Sequence, residues 1–416
     1  MKKDKYFLIG KNISYSLSPR IYKEMDYDYK IKDLNKDELA AFMEAKDFKG
    51  INVTIPYKKD VIKYLNEIDE TAKAVGAVNT IVNKKGVLYG YNTDVFGLTA
   101  LIKKSEVDFK DKTVLVLGSG GAAKTAVYVS NSLGAKKVVT ISRNGKDNYN
   151  NIYWLYKDRA DIIINATPVG RENFETKSVI DIDKFIKLEA FYDLNYAPLL
   201  TETAARANMQ GVKAFGGLYM LVAQAVMAAK IYGTKEFKED GRFNWALNDI
   251  YGELLFENRN FVLIGMPGSG KSSIGKLLAK KLNREFIDTD ALIESKIGEP
   301  IQKFIIDNGE EKFREIEAEI VKDLENIKGK VIAVGGGTIL REENVKILKE
   351  NGAFIYLERE LKKLTLKGRP LVSSDTVEDM FKKREALYNK YKDVAVKNNK
   401  GKGKTVQSIL EIIHKI

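Results

Sequence analysis

Lys271 and Ser272 close the run Gly265-Met-Pro-Gly268-Ser269-Gly270-Lys271-Ser272-Ser273, whose glycine and lysine spacing is that of a loop binding nucleoside triphosphates. In such a loop backbone N–H groups surround the phosphates. The lysine reaches the β and γ groups, and the hydroxyl after it can ligate Mg2+. The chemistry expected there is phosphoryl transfer from ATP. A second glycine run, Gly118-Ser119-Gly120-Gly121-Ala122, has different spacing and suits a dinucleotide, because side chains on those glycines would keep a pyrophosphate away from the following helix N-terminus. A glycine run is also a common tight turn, and both readings stand at this point. Two loops of different type predict two active sites.

Each loop needs a strand before it and a helix after it. Apolar residues at 113–117 and 261–264 supply the strands, and helical patterns run on to about Leu133 and Leu282. Further apolar runs at 6–9, 50–54, 137–141, 161–165 and 190–194 alternate with amphipathic segments, and a second series follows at 285–287, 330–334 and 353–357. This alternation predicts α/β architecture with largely parallel sheets. A polar, helix-like stretch at 235–258 separates the two series, which places the boundary near Asn258.

Composition narrows the chemistry. The chain has 416 residues, too many for one ordinary core, and its 44% hydrophobic and 30% charged residues are those of a globular protein. Cys is absent and His414 is the only histidine, which removes disulfides, thiolate nucleophiles, zinc clusters and a Ser-His-Asp triad. The N-terminus has too few apolar residues for a signal peptide, and residues 217–229, the longest mostly apolar stretch, are too short to cross a bilayer. The expected location is the cytoplasm. A net charge of +12 could attract nucleic acid, but the basic residues are interleaved with acids, as in Lys312-Phe-Arg-Glu. Small anionic substrates are the expected partners, with neither nucleic acid nor membrane, and the oligomeric state is left open.

After the strand at 137–141 comes Ser142-Arg143-Asn144, with no acid where an NAD site would hold the ribose diol. A cation there favours the 2′-phosphate of NADP, although Arg143 can equally be a surface arginine. If the first site reduces a ketone, hydride addition makes an alkoxide. With no histidine at hand, a lysine or a carboxylic acid must donate the proton.

Five motifs flank the first loop: Tyr15-Ser16-Leu-Ser18-Pro19, Gly50-Ile-Asn52-Val-Thr54-Ile-Pro56-Tyr-Lys58, Gly76-Ala-Val-Asn79-Thr80, Gly90-Tyr-Asn92-Thr93-Asp94, and the helix from Gly217 through Gln224. With them, residues 5–250 resemble shikimate dehydrogenase. The resemblance implies a substrate domain at 1–96, completed by helices at about 217–250, around a Rossmann NADP domain at 97–216, and reversible reduction of 3-dehydroshikimate by NADPH. It implies a catalytic pair, Lys58 as proton donor with Asp94 orienting it. It further implies that Ser16 and Ser18 bind the substrate carboxylate, that Thr54, Asn79 and Gln224 reach its hydroxyls, and that Tyr196 is also a substrate residue. The serines could instead cap the helix after Pro19. The segments 21–49 and 144–161 are shorter than the family's pattern.

Beyond the second loop, Asp288-Thr-Asp290, Phe313-Arg314-Glu-Ile-Glu317, Gly335-Gly336-Gly337, Gly368-Arg369-Pro370 and Arg384-Glu-Ala-Leu-Tyr388 resemble shikimate kinase. The resemblance implies a P-loop, nucleoside-monophosphate-kinase-like α/β domain at 259–416 that transfers the ATP γ-phosphate to shikimate. Arg314 and Arg384 would then grip the carboxylate, Gly335 to Gly337 would let the backbone approach the ring, and Asp290 would hold the hydroxyls. Asp288 would reach Mg2+ through water, Ser272 would ligate it directly, and Arg369 would close a lid over the phosphates. The two aspartates are expected on alternate sides of extended backbone. Arg314 also stands at helical ion-pair spacing from Glu310 and Glu317. No arginine for the adenine face is evident, and Lys367 is the substitute considered.

The product of the first enzyme would be the substrate of the second, so the resemblances together imply a bifunctional enzyme of the shikimate pathway. Two other readings stay open. Both folds could act on quinate or another cyclic polyol acid, or the chain could be a silent ligand-sensing regulator, which would have no need of Lys58, Asp94, Lys271, Asp290 and Arg314.

Overall fold

In a computed structural model the described residues are 5–172, 174–233, 240–364 and 376–413. They form three sheets. The chain divides into two compact units, Met1–Ala197 with Gln210–Glu253, and Pro198–Met209 with Leu254–Ile416.

The first unit holds two sheets. One is built from β1 (Tyr6–Gly10), β2 (Tyr29–Asp33), β3 (Gly50–Val53), β4 (Glu67–Ile68), β5 (Thr80–Lys84) and β6 (Val87–Tyr91), in the order β2-β1-β3-β5-β6-β4. Here the expected parallel pattern breaks, since β5 runs antiparallel to both β3 and β6. The cause is local: Lys85 and Gly86, with φ of 54° and 90°, make a two-residue turn of the twist that closes hairpins. The other sheet contains β7 (Thr113–Leu117), β8 (Lys137–Ile141), β9 (Ile162–Asn165), β10 (Ala190–Asp193) and β11 (Lys213–Phe215). All its pairs are parallel, in the order β11-β10-β9-β7-β8. Its centre reads Thr-Val-Leu-Val-Leu and Ile-Ile-Ile-Asn, the continuous apolar run of strands covered on both faces. From β7 the chain steps out to β8 and returns to β9 on the other side. The carboxyl ends of β7 and β9 therefore frame a crevice, the place where open α/β sheets bind ligands.

The second unit is built on β12 (Asn260–Ile264), β13 (Phe286–Asp288), β14 (Val331–Ala333), β15 (Gly352–Glu358) and β16 (Val394–Lys397). They too are parallel, in the order β13-β14-β12-β15-β16. β12 is fully buried at the centre, so the loop after it lies between the loops that follow β14 and β15. That order alone brings Gly335 and Arg359 to the two sides of the Gly265 loop. Among the described residues no helix is long and apolar enough to cross a membrane.

Candidate active sites

In the first unit Lys58 and Asp94 meet: Lys58 Nζ donates to Asp94 Oδ2 at 2.6 Å, and both side chains are largely buried. Tyr57, almost fully buried, anchors the chain beside Lys58 by donating its hydroxyl to Leu34 O, while Lys58 O accepts from Val78 N–H. Asp94 stands in the first turn of the Thr93–Ser105 helix, whose N-cap Asn92 accepts from Val95 N–H and donates to Ala77 O. Asn79 completes the arrangement. Its Nδ2 donates to Asp94 Oδ1 at 2.9 Å and its Oδ1 accepts from Thr93 N–H at 2.7 Å. Thr93 Oγ1 in turn donates to Gln224 Oε1 at 3.4 Å. Five residues from four distant segments thus form one connected polar cluster.

Beneath it lies a second network. Asn52 Oδ1 accepts from the hydroxyls of Tyr22, Tyr29 and Tyr232, and Asn52 Nδ2 donates to Thr80 Oγ1. Burial drives the pKa of all three phenols upward, so they remain donors. Thr54 is half-buried at the end of β3, its methyl carbon 2.7 Å from where a Cβ on Gly10 would stand.

Ser16 and Ser18 are brought together, Ser16 Oγ donating to Ser18 Oγ at 3.1 Å. They do not cap the helix, since the Ser18–Glu24 helix has Leu17 at its N-cap and no side-chain cap. Tyr196 is their neighbour, since the Ser16 hydroxyl acts on its phenol. Burial and then Tyr15 push its phenol up to about 12, against the Ser16 hydroxyl, the Leu17 N–H and the charge of Arg171.

The crevice between β7 and β9 opens beside this cluster. Gly118 has a φ of 108°, and a Cβ there would stand 3.1 Å from Thr167 Cγ2. At Gly120 a Cβ would meet nothing within 4 Å, and at Gly121 it would lie 3.5 Å from Lys58 Cδ. Gly121 opens the Gly121–Ser132 helix, so the N-terminal N–H groups of that helix lie next to Lys58, a cradle that fits a pyrophosphate. Ser119 is exposed and Ala122 half-buried on the same loop. Arg143 is exposed just past β8, where its charge acts on the Tyr149 hydroxyl.

In the second unit the Gly265 loop has left-handed glycines at Gly265, Gly268 and Gly270. Lys271 Nζ curls back to Gly265 O at 2.8 Å and Met266 O at 3.1 Å. Ser269 Oγ is buried without a partner. Ser272 and Ser273 are half-buried in the first turn of the Lys271–Leu282 helix. This loop fits a triphosphate, and Ser272 stands in the helical turn directly behind it.

Asp288 and Asp290 do not alternate along a strand as expected. Asp288 ends β13 and caps the Thr289–Ile297 helix by accepting from Asp290 N–H, which carries Asp290 into the first helical turn. There Asp290 Oδ1 lies 3.0 Å from the Cβ position of Gly335. The glycine run has a further use beyond close backbone approach: a Cβ on Gly336 would stand 2.6 Å from Pro267, and one on Gly337 2.4 Å from Arg314 Nη2.

Arg314 bonds Glu317 and Glu310, each at 2.9 Å, so the helical ion pairs are real. Burial opposes its charge, but the two carboxylates outweigh burial and raise its pKa above the ordinary arginine value. Glu317, only 1% exposed, also accepts from Thr338 Oγ1. Tyr388 donates to Gly336 O at 2.6 Å, and the charges of Arg384 and Arg314 both act on its hydroxyl. The two arginines and the glycine run therefore converge. Arg369 and Lys367, with His414, lie outside the described residues.

Four residues escaped the sequence reading. Thr93 ties Asn79 to Gln224, and Arg171 lies against Tyr15. Arg359, just past β15, places Nη1 3.5 Å from Gly268 O, and its buried Nε has no partner. Asn398 Nδ2 supports the same loop by donating to Ser269 O. No local spacing marks any of them, because each acquires its neighbours through strand order.

Comparisons with known proteins follow the same division. A family model described as shikimate dehydrogenase substrate binding domain matches residues 8–81, and one described as shikimate kinase matches residues 267–414. A shikimate dehydrogenase (NADP(+)) of Clostridium beijerinckii is 34% identical over 264 residues, 59% of this chain and 97% of that protein. One from Caldicellulosiruptor bescii is 37% identical over 55% of this chain and 88% of its own length. Among solved structures, shikimate dehydrogenase 1 from Peptoclostridium difficile superposes with a TM-score of 0.55 at 32% identity, over 60% of this chain and 98% of that one. A chorismate mutase/shikimate 5-dehydrogenase fusion protein from Clostridium acetobutylicum gives 0.55 at 31%, over 61% and 98%.

Proposed function

Because the chain belongs to the shikimate dehydrogenase family and carries a shikimate kinase domain behind it, a bifunctional enzyme of the shikimate pathway, we propose that its two clefts act in turn on one carboxylated ring. The first reduces 3-dehydroshikimate to shikimate and the second phosphorylates shikimate at its 3-hydroxyl. NADPH, when bound, supplies the hydride, and ATP with Mg2+ supplies the phosphoryl group.

The chain's own residues do the rest. Lys58 gives a proton to the oxygen created by hydride addition, and Asp94 holds Nζ in place by its 2.6 Å bond. Asn79 keeps the other Asp94 oxygen occupied, which fixes the carboxylate's rotation. Ser16, Ser18 and Tyr196 receive the ring carboxylate, while Thr54, Asn79 and Gln224 offer polar groups to its hydroxyls. Residues 118–122 cradle the pyrophosphate, with Arg143 toward the 2′-phosphate.

In the second cleft Arg314 and Arg384 take the carboxylate, for which planar guanidinium forks are well shaped. Asp290 accepts the proton of the attacking hydroxyl, and Asp288 with Ser272 would hold Mg2+, which when bound would offset charge on the phosphates. Lys271 turns from its loop carbonyls to the phosphates. On this reading the enzyme works in the cytoplasm.

The observation that carries this reading is the approach of Gly121 to Lys58, which sets a dinucleotide cradle beside a proton donor. Purified protein given 3-dehydroshikimate, NADPH and MgATP should make shikimate 3-phosphate with one NADPH oxidised per product. Absence of either NADPH oxidation or phosphorylated product would refute it.

A further inference from the structure

We propose that Arg171 is a substrate-specificity residue of the dehydrogenase, a guanidinium that joins the hydroxyls of Ser16, Ser18 and Tyr196 in holding the carboxylate of the ring substrate. The inference rests on the dehydrogenase reading above and adds to it the charge that three hydroxyls lack. Hydroxyls recognise a carboxylate by hydrogen bonding alone, and a neutral ester or amide offers them comparable acceptors. A guanidinium tells the two apart, because its attraction depends on the anion.

Arg171 lies on the loop between β9 and β10, on the side of the sheet where the strand order reverses. From there it reaches across 156 positions of sequence to donate Nη1 to Tyr15 OH at 2.8 Å, its guanidinium carbon 5.1 Å from the centre of the Tyr15 ring. Tyr15 immediately precedes Ser16. The charge of Arg171 is also felt at the Tyr196 hydroxyl, on which the Ser16 hydroxyl acts as well. Arg171 therefore stands against the residue that leads into the expected carboxylate ligands Ser16 and Ser18, with its charge acting at Tyr196. No carboxylate of the described residues forms a salt bridge with it, unlike Arg314, which has two. A half-buried arginine stacked on aromatic rings, Tyr15 and Phe174, and lacking an acid is a cation held in position for an outside anion.

The test uses the full chain in the oxidative direction with NADP+, comparing shikimate with its methyl ester for wild type, Arg171→Met and Arg171→Lys. Wild type should prefer the acid. Arg171→Met should raise KM for shikimate roughly ten- to a hundredfold, the worth of a charge-assisted hydrogen bond, and leave KM for NADP+ and for the ester nearly unchanged. Arg171→Lys should restore part of the acid preference, and added salt should erode it in wild type more than in Arg171→Met. An unchanged acid-to-ester ratio in Arg171→Met would overturn the proposal and leave Arg171 a packing residue on Tyr15. A loss confined to KM for NADP+ would overturn it in favour of a cofactor contact. If Arg171→Met does not fold, Arg171→Lys against wild type carries the same ratio. Wild type that turns over neither compound would sink the dehydrogenase reading itself, an outcome distinct from an active enzyme indifferent to position 171.

Discussion

The guanidinium carbon of Arg314 lies 2.7 Å from the point that a Cβ on Gly337 would occupy. Glycine at 337 is what lets the arginine lie against the loop while its two forks bond Glu317 and Glu310. An added methyl group would displace the mobile end of a long side chain rather than the backbone. Gly337→Ala should therefore fold normally, raise KM for shikimate in the kinase reaction by about tenfold, the loss of one charged hydrogen bond, and leave the dehydrogenase unchanged. Steady-state assays of both activities on one preparation check this.

Lys58 and Lys271 serve separate chemistry. Lys58→Ala should lower dehydrogenase kcat by roughly a hundredfold or more, the range for a lost general acid, with phosphorylation intact. Lys271→Ala should do the reverse. Loss of both activities in either folded variant would contradict independent sites.

Arg359 offers an unfilled donor, Nε, beside the phosphate loop, on the side of that loop away from Gly335. Arg359→Ala should raise KM for ATP by about tenfold, for one charge-assisted bond, and spare KM for shikimate. An effect on shikimate alone would show that Arg359 acts on the other substrate.

Stability at high pH follows from the buried tyrosines. Tyr22, Tyr29 and Tyr232 have phenols raised above their ordinary value of 10.0, chiefly by burial. Above that value the unfolded chain releases protons that the folded chain keeps, so folding stability falls as pH rises. Each phenol contributes about 1.4 kcal/mol per pH unit until its folded pKa is reached. Tyrosinate absorbance followed with tryptophan fluorescence should show this group ionising only as the first unit unfolds. Ionisation before unfolding would mean that Asn52 does not hold their hydroxyls as described.

Much of the positioning was legible in advance. The runs before the two glycine loops became β7 and β12, and the following helices end within a residue of expectation, at Ser132 and Leu282. Those features rest on local rules, a glycine where φ is positive and an apolar run where a strand is covered on both faces. The β5–β6 hairpin went unseen because its turn, Lys85-Gly86, is not among the strongest hairpin dipeptides and its strands are short. The two aspartates were misjudged because a capping aspartate starts a helix where periodicity suggested continued extension.

The residues themselves settled how many nucleotide loops there are, which of them binds a triphosphate, and what chemistry a chain without cysteine and with one histidine can do. Such properties depend on residue type and on spacing within a few positions, and folding does not alter them. Only the tertiary structure decided that Lys58 meets Asp94 and Gly121, that Glu317 fixes Arg314, and that Arg171 stands beside Tyr15. Most of these are meetings of side chains far apart in sequence, created by strand order and loop direction. Even Arg314 and Glu317, neighbours on one helix, gain their setting from Gly337 and Thr338 on a distant loop, which no local spacing records.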